Sequence, residues 1–148
     1  MESKAQSAAL VMRLVKYAFV ASGILFVYIA FKVLDQPQHD ASQAIQIAIT
    51  VVGLWCVVNG FYLPRKIFRR TEARSQNLSE EAQVKRWMAK CIMSLAFFEA
   101  GVLYGFLLHV LGGSTLFVGL LMGAGIAAEF IWSPGPPPGA ENGEFPRS

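Results

Sequence analysis

Two carboxylic acids stand inside otherwise apolar runs: Glu99 in CIMSLAFFEAGVLYGFLL and Glu129 in LLMGAGIAAEFIW. A charged side chain in hydrocarbon costs about 2.5 to 3.5 kcal/mol on insertion scales, so an acid held there turns toward other helices and is protonated or partnered. Two chemistries fit Glu99. It is a carboxyl that takes up a proton or a cation, or it is a protonated acid that hydrogen-bonds a neighbouring helix and serves as packing glue. Counted from the start of its own apolar run, it lies about eight residues, or 12 Å, inside the membrane, at the depth of Ser22 in an earlier run. Glu129 lies only about three residues, or 4.5 Å, from the inner edge of its run, where it reaches headgroup water. Asn59 sits at a similar depth, and a hydrogen bond between the two would satisfy both. On this count no second acid shares the depth of Glu99. His109, ten residues further along the same run and near its far end, reads as an interfacial histidine.

Nothing else in the sequence assembles a reaction centre. There is no HExxH, no G-x-S-x-G, no cysteine pair at metal spacing and no phosphate-cradling glycine loop, so neither catalytic residues nor a metal or cofactor are expected. The reading that follows is of a non-enzymatic component acting through helix packing and partners. Its alternative is a proton- or ion-coupled transport element using Glu99, with Glu129 and Asn59 at its mouth.

The elements that must position these residues follow from composition. Of 148 residues, 54% are hydrophobic and 16% charged, against roughly 25% charged in an ordinary soluble domain. That excludes a disordered chain, and two cysteines exclude a disulfide scaffold. Four segments are long enough to cross a bilayer at about 20 residues each: 14–34, 44–63, 91–111 and 116–132. The expected fold is therefore all-α, a polytopic four-helix membrane bundle over 1–133, with the second span stopping at Pro64, which has no N–H to continue a helix. The first run exceeds the about 7 to 15 residues of a leader's apolar core and no small-x-small site follows at once, so it reads as a span.

Charge sets the orientation. Lys4 and Arg13 precede the first span, Lys16 stands in its first turn, and eight basic residues (Arg65, Lys66, Arg69, Arg70, Arg74, Lys85, Arg86 and Lys90) fall between the second and third. By the positive-inside rule both termini and the loop 65–90 are cytoplasmic, as in a multi-pass protein of a bacterial inner (plasma) membrane. Within that loop, RKIFRRTEAR suits an interfacial turn or short helix, and Arg65, Lys66, Arg69 and Arg70 suit anionic headgroups. No nucleic-acid motif accompanies these charges. Ser79 before Glu80 and Glu81 reads as an N-cap, and Glu81 and Lys85 are spaced as an i, i+4 pair on a helix running into the third span. The segment 134–148, opening PGPPPG, is expected to be a disordered Pro/Gly-rich tail.

Small residues set the packing expectation. Gly119, Gly123 and Ala127 recur every four residues, a ridge that admits another backbone, with Gly101 and Gly105 as its counterpart inside the monomer or a second copy or other membrane protein outside it. Matching Gly23 to Gly101 aligns Ala18 with Ala96 and Phe19 with Phe97, and matching Pro64 to Pro134 aligns Gly53 with Gly123, which gives two duplicated hairpins. Cys56 and Cys91 lie toward the cytoplasmic side, where disulfides are not expected.

The string EAGVLYGFL from Glu99 to Leu107 resembles the carboxylate helix of the rotary ATPase proteolipids, the subunit c type. In that family a membrane-embedded acid, often in a run such as EAxxIYGL, carries the translocated ion. The resemblance implies that Glu99 binds a proton. In the family the acid follows the glycine-rich helix, whereas Glu99 precedes it. The span pattern as a whole resembles small four-span bacterial membrane proteins without an assigned activity.

Overall fold

The computed structural model describes residues 4–34, 41–72 and 79–138, and these form four helices with no strand among them. Helix α1 spans Lys4–Tyr28 and continues as a single π turn, Ile29–Val33; α2 spans Gln43–Glu72, α3 Glu80–Val110 and α4 Thr115–Ile131. The first three are long and apolar enough to cross a membrane, and α4 is a shorter apolar helix of 17 residues. Their outward faces carry large apolar side chains, among them Leu14, Tyr17, Trp55, Tyr62, Leu116 and Phe130. A fold that leaves so many apolar side chains uncovered suits lipid rather than water as its solvent.

Pro64 does not end α2. Proline removes one bond, that to the carbonyl four residues back, here Gly60, and the helix carries on for about two further turns to Glu72. The basic stretch expected as an interfacial turn is thus, up to Glu72, the continuation of a spanning helix; residues 73–78, including Arg74, lie outside the described residues. Helix α3 starts where the sequence signals place it. The Ser79 hydroxyl accepts from the Ala82 N–H at 3.4 Å, and Glu81 pairs with Lys85 at 2.7 Å. Both groups of that pair are exposed, and such pairs contribute only about 0.3 to 0.5 kcal/mol.

Helix α3 is the hub. It packs against α1, α2 and α4, and α4 touches both α1 and α2, while α1 and α2 share almost no contact. The molecule is therefore an α3–α4 pair with α1 laid on one side and α2 on the other. Of the two equivalent hairpins that a duplication would produce, α3–α4 packs as one and α1–α2 does not.

The tight connection between α3 and α4 marks what we call the turn end. Gly112 there has φ 80°, a backbone region that favours glycine. The turn is tied to the start of α2: the Ala41 N–H donates to the Gly112 carbonyl at 3.0 Å, and the Ser114 N–H donates to Gln46 Oε1 at 3.1 Å. Gln46 thereby caps α4, a role Ser114 does not fill with its own side chain. The Thr50 hydroxyl, also buried, is satisfied by the Gln46 carbonyl at 2.7 Å.

At the opposite end, the loop end, Trp132 is buried beside Phe98 with ring centroids 6.2 Å apart. The chain then runs extended, with the Trp87 indole N–H donating to the Gly135 carbonyl at 3.1 Å and Pro137 buried. The first part of the Pro/Gly segment is thus held against α3, contrary to the disorder expected of it; residues 139–148 lie outside the described residues. Two apolar clusters fill the bundle, one toward the loop end around Met12, Leu95, Phe98 and Ala128, the other toward the turn end around Val102, Leu108, Leu121 and Met122. Glu99 sits where they meet, one residue from Phe98 and three from Val102.

Candidate functional site

Glu99 and Glu129 are both buried, at 9% and 0% exposure. Helix α3 supplies the first and α4 the second, and the two carboxyl groups lie within hydrogen-bonding reach of one another. From α1, the Ser22 hydroxyl donates to Glu99 Oε1 at 2.8 Å. Glu99 Oε2 and both oxygens of Glu129 have no donor. Ionised carboxylates only accept, so the Glu99–Glu129 contact is a hydrogen bond when one of the two carries a proton and a repulsion when neither does.

Lys16 of α1 completes the cluster. Lys16 donates to the Trp132 carbonyl at 2.6 Å and the Phe130 carbonyl at 3.1 Å, two of the last carbonyls of α4. These groups have no partner within the helix and carry its negative pole, which a cation complements. From that position its ammonium also acts electrostatically on Glu129. Lys16, one proton on the carboxyl pair and the remaining carboxylate sum to zero charge, the state a low-dielectric site favours.

Close backbone approach brings the two acids together. A Cβ on Gly125 would lie 2.8 Å from the Phe98 carbonyl oxygen and 3.0 Å from the Val102 nitrogen, so α4 meets α3 backbone to backbone beside Glu99. Gly105 repeats this against Met122, and Gly101 receives Val57 of α2.

Several sequence expectations change. Glu129 does not reach out to headgroup water; it is fully buried and turned to Glu99, so a second acid does share the Glu99 layer. The depths misled because each helix was measured from its own inner edge. Measured from the shared turn, Glu99 lies 11 residues before the end of α3 and Glu129 14 residues after the start of α4. The difference of three residues is about 4.5 Å, which two glutamate side chains span. Asn59 is not the partner of Glu129, because α2 lies on the other side of α3; its amide donates instead to the Trp55 carbonyl of its own helix at 2.7 Å.

Gly119, Gly123 and Ala127 face outward, with nothing within 4 Å of either glycine position. They are not the counterpart of Gly101 and Gly105. Helix α4 instead turns Val118, Met122, Gly125 and Glu129 inward, since the opposite rotation would put a carboxyl into lipid. Lys16, counted in the sequence only toward orientation, belongs to the site. The signal was its position, level with the free carbonyls that end α4. His109 stands in the last turn of α3, at the turn end, and is buried at 4% exposure.

Away from this cluster, Tyr62, Arg65, Lys66 and Arg69 line an open groove of about 410 Å³ at the loop end of α2; the side chain of Arg70 lies outside the described residues. Cys56 and Cys91 are free and buried. Among the described residues no group of three or more His, Cys, Asp or Glu side chains is placed to hold a metal ion. Compared with known proteins, the chain matches no family model, no curated protein and no solved structure.

Proposed function

We propose that this chain is a proton-coupled membrane transport element, not an enzyme, in which the Glu99–Glu129 pair takes up and releases the proton. The observation that carries the reading is the contact of two buried carboxyl groups, three of whose four oxygens lack a donor. A buried acid that only glued helices would have its oxygens matched by donors on the neighbouring helix, as Ser22 matches one of them. Intramembrane acids facing a bundle interior mark ion pathways and proton relays.

In this reading all four helices span, and the loop end with both termini is cytoplasmic, in a plasma membrane of bacterial inner-membrane type. The distribution of Lys and Arg supports that orientation. Glu129, two residues before the end of α4 and behind Lys16, is the acid nearer the cytoplasm. Tyr62, Arg65, Lys66 and Arg69, at i, i+3, i+4 and i+7 along one face of α2, meet anionic lipid headgroups there. The continuity of α1, α3 and α4 beside the acids favours a proton over a metal cation, because transporters that coordinate sodium do so with the carbonyls of unwound helices.

The test is proton flux into liposomes holding the purified protein and a trapped pH dye. The wild type is expected to dissipate an imposed pH gradient, and Glu99→Gln and Glu129→Gln to slow this by about tenfold or more while keeping shape and hydrogen bonding. Wild-type vesicles no faster than empty ones, or both variants at the wild-type rate, overturn the reading. Dicyclohexylcarbodiimide, which attacks protonated buried carboxyls, should label Glu99 or Glu129, and labelling should fall as pH rises.

A second reading, a component acting by helix packing with a second copy or another membrane protein, is favoured by the uncovered Gly119, Gly123 and Ala127 face. Its measure is the mass of the particle extracted in mild detergent; a monomer with no companion would refute it.

A further inference from the structure

The seam between α1 and α3 is built in layers. Starting at the loop end, Ser22 meets Glu99, Gly23 lies against Val102, the Phe26 and Phe106 rings meet at a tilt with centroids 5.3 Å apart, and the Phe31 and His109 rings do the same at 5.4 Å. On α3 these positions are 99, 102, 106 and 109, spaced three, four and three, which is one face of a helix. His109 is therefore on the acid pair's own face, about 15 Å nearer the turn end, with the aromatic pair between them.

His109 lacks what a structural histidine needs. It is buried, and its Nε2 has no hydrogen-bond partner. A neutral apolar side chain would fill the same space without leaving a buried polar atom unsatisfied.

The helix opposite it is also irregular. In an unbroken α-helix Phe31, nine residues beyond Ser22, would stand half a turn away from the seam. The π turn at Ile29–Val33, closed by the Leu34 N–H donating to the Ile29 carbonyl at 3.0 Å, winds more slowly and swings Phe31 back over His109. Such single π turns cost stability and concentrate at functional positions.

We infer that His109 is the proton relay on the outer side of the carboxyl pair, and that the Phe26–Phe106 ring pair is the barrier between the two. The inference rests on the proton-coupled reading above and extends it by giving the path a second station and a closed point. A proton arriving at the turn end adds to an imidazole nitrogen. When the rings part and admit water, it passes on to the ionised member of the acid pair, and the imidazole returns to its neutral form. Only N–H and O–H bonds form and break, and no electrons are transferred. Before the transfer Lys16, on the far side of the pair, offsets the charge of the ionised carboxylate; after it both carboxyls are neutral until one releases its proton toward the loop end.

The experiment uses the full chain in the same liposomes, with two variants. His109→Phe keeps a ring against Phe31 and removes the imidazole nitrogens; it should slow flux by about tenfold or more while carbodiimide labelling of the acid pair persists. Phe106→Ala opens the barrier and should raise flux several-fold over wild type. Wild-type flux in His109→Phe, alongside its loss in Glu129→Gln, overturns the relay and leaves the carboxyl reading standing. Absence of flux in the wild type overturns both. If His109→Phe loses labelling together with flux, the bundle has been disturbed and Phe106→Ala decides: flux equal to wild type removes the barrier and the relay with it.

Discussion

The two sides of the α3–α4 pair differ in where, among the described residues, they bury polar groups: on the α2 side only at the turn, on the α1 side in the middle of the bundle. On the α2 side, contact is apolar and close. A Cβ on Gly60 would lie 2.5 Å from Phe98 Cε1 and 3.1 Å from Phe97 Cβ, one on Gly53 would lie 2.6 Å from Leu121 Cδ2, and Gly101 seats Val57. On the α1 side, apolar contacts of Met12, Gly23 and Phe26 are joined by buried polar ones that stay incomplete, with Ser22 on one carboxylate oxygen, Lys16 on the end of α4 and three carboxyl oxygens without a donor from another residue. In lipid there is no hydrophobic drive between helices, so stability must come from packing, and the α2 side supplies it. The α1 side spends part of that stability on holding two acids together. Under the proton-coupled reading proposed above, the packing on the α2 side is what would let the pair change protonation without loss of the fold.

That division is open to attack at graded strength. Gly60→Leu strikes the packed side and should destabilise the protein by about 3 kcal/mol through overpacking against Phe97 and Phe98, read by reversible unfolding in mixed micelles. A change under about 0.5 kcal/mol would mean that α2 is only loosely held. Ser22→Ala strikes the polar side. Removing one donor from Glu99 should cost about 1 kcal/mol or less, in keeping with interhelical hydrogen bonds in membranes, yet alter the carbodiimide labelling rate at the acid pair. A large stability loss with unchanged labelling would make Ser22 part of the scaffold and blur the contrast. Asn59→Leu should be the mildest. Its amide serves only its own helix, so stability and proton flux should both stay within about 0.5 kcal/mol and a factor of two of wild type; a flux defect there would bring α2 into the site.

Much of the architecture was legible before any coordinates. Apolar run length marked the helices, and Ser79, Glu80 and Glu81 marked the start of α3, because both signals act within a few residues. What escaped depended on how helices are turned toward each other. The Gly119, Gly123 and Ala127 ridge resembled a packing face, but α4 has a second face carrying Val118, Met122, Gly125 and Glu129, and only the requirement to bury the acid chooses between them. Pro64 looked like a terminator since the sequence does not reveal that one lost bond, at Gly60, is tolerated inside a tightly packed interface. The pairing of Glu99 with Ser22 was foreshadowed by matching depth. That of Glu129 with Glu99 was concealed by the choice of reference edge, and Lys16 by the assumption that a basic residue near a span end only sets orientation.

The near absence of contact between α1 and α2 suits an order of assembly in which both settle on the α3–α4 pair. During synthesis the first two helices enter the bilayer as neighbours in the chain with no surface to offer one another, and each waits in lipid for the pair that follows. Helices α3 and α4 arrive joined by the tight turn at Gly112, already matched across Gly105 and Gly125, and both acids travel on them. The carboxyl contact can therefore form within the arriving hairpin, sharing a proton and lowering the charge carried into the membrane, before Ser22 and Lys16 close over it. Under the proton-coupled reading proposed above, one contact would then both ease insertion and carry the proton.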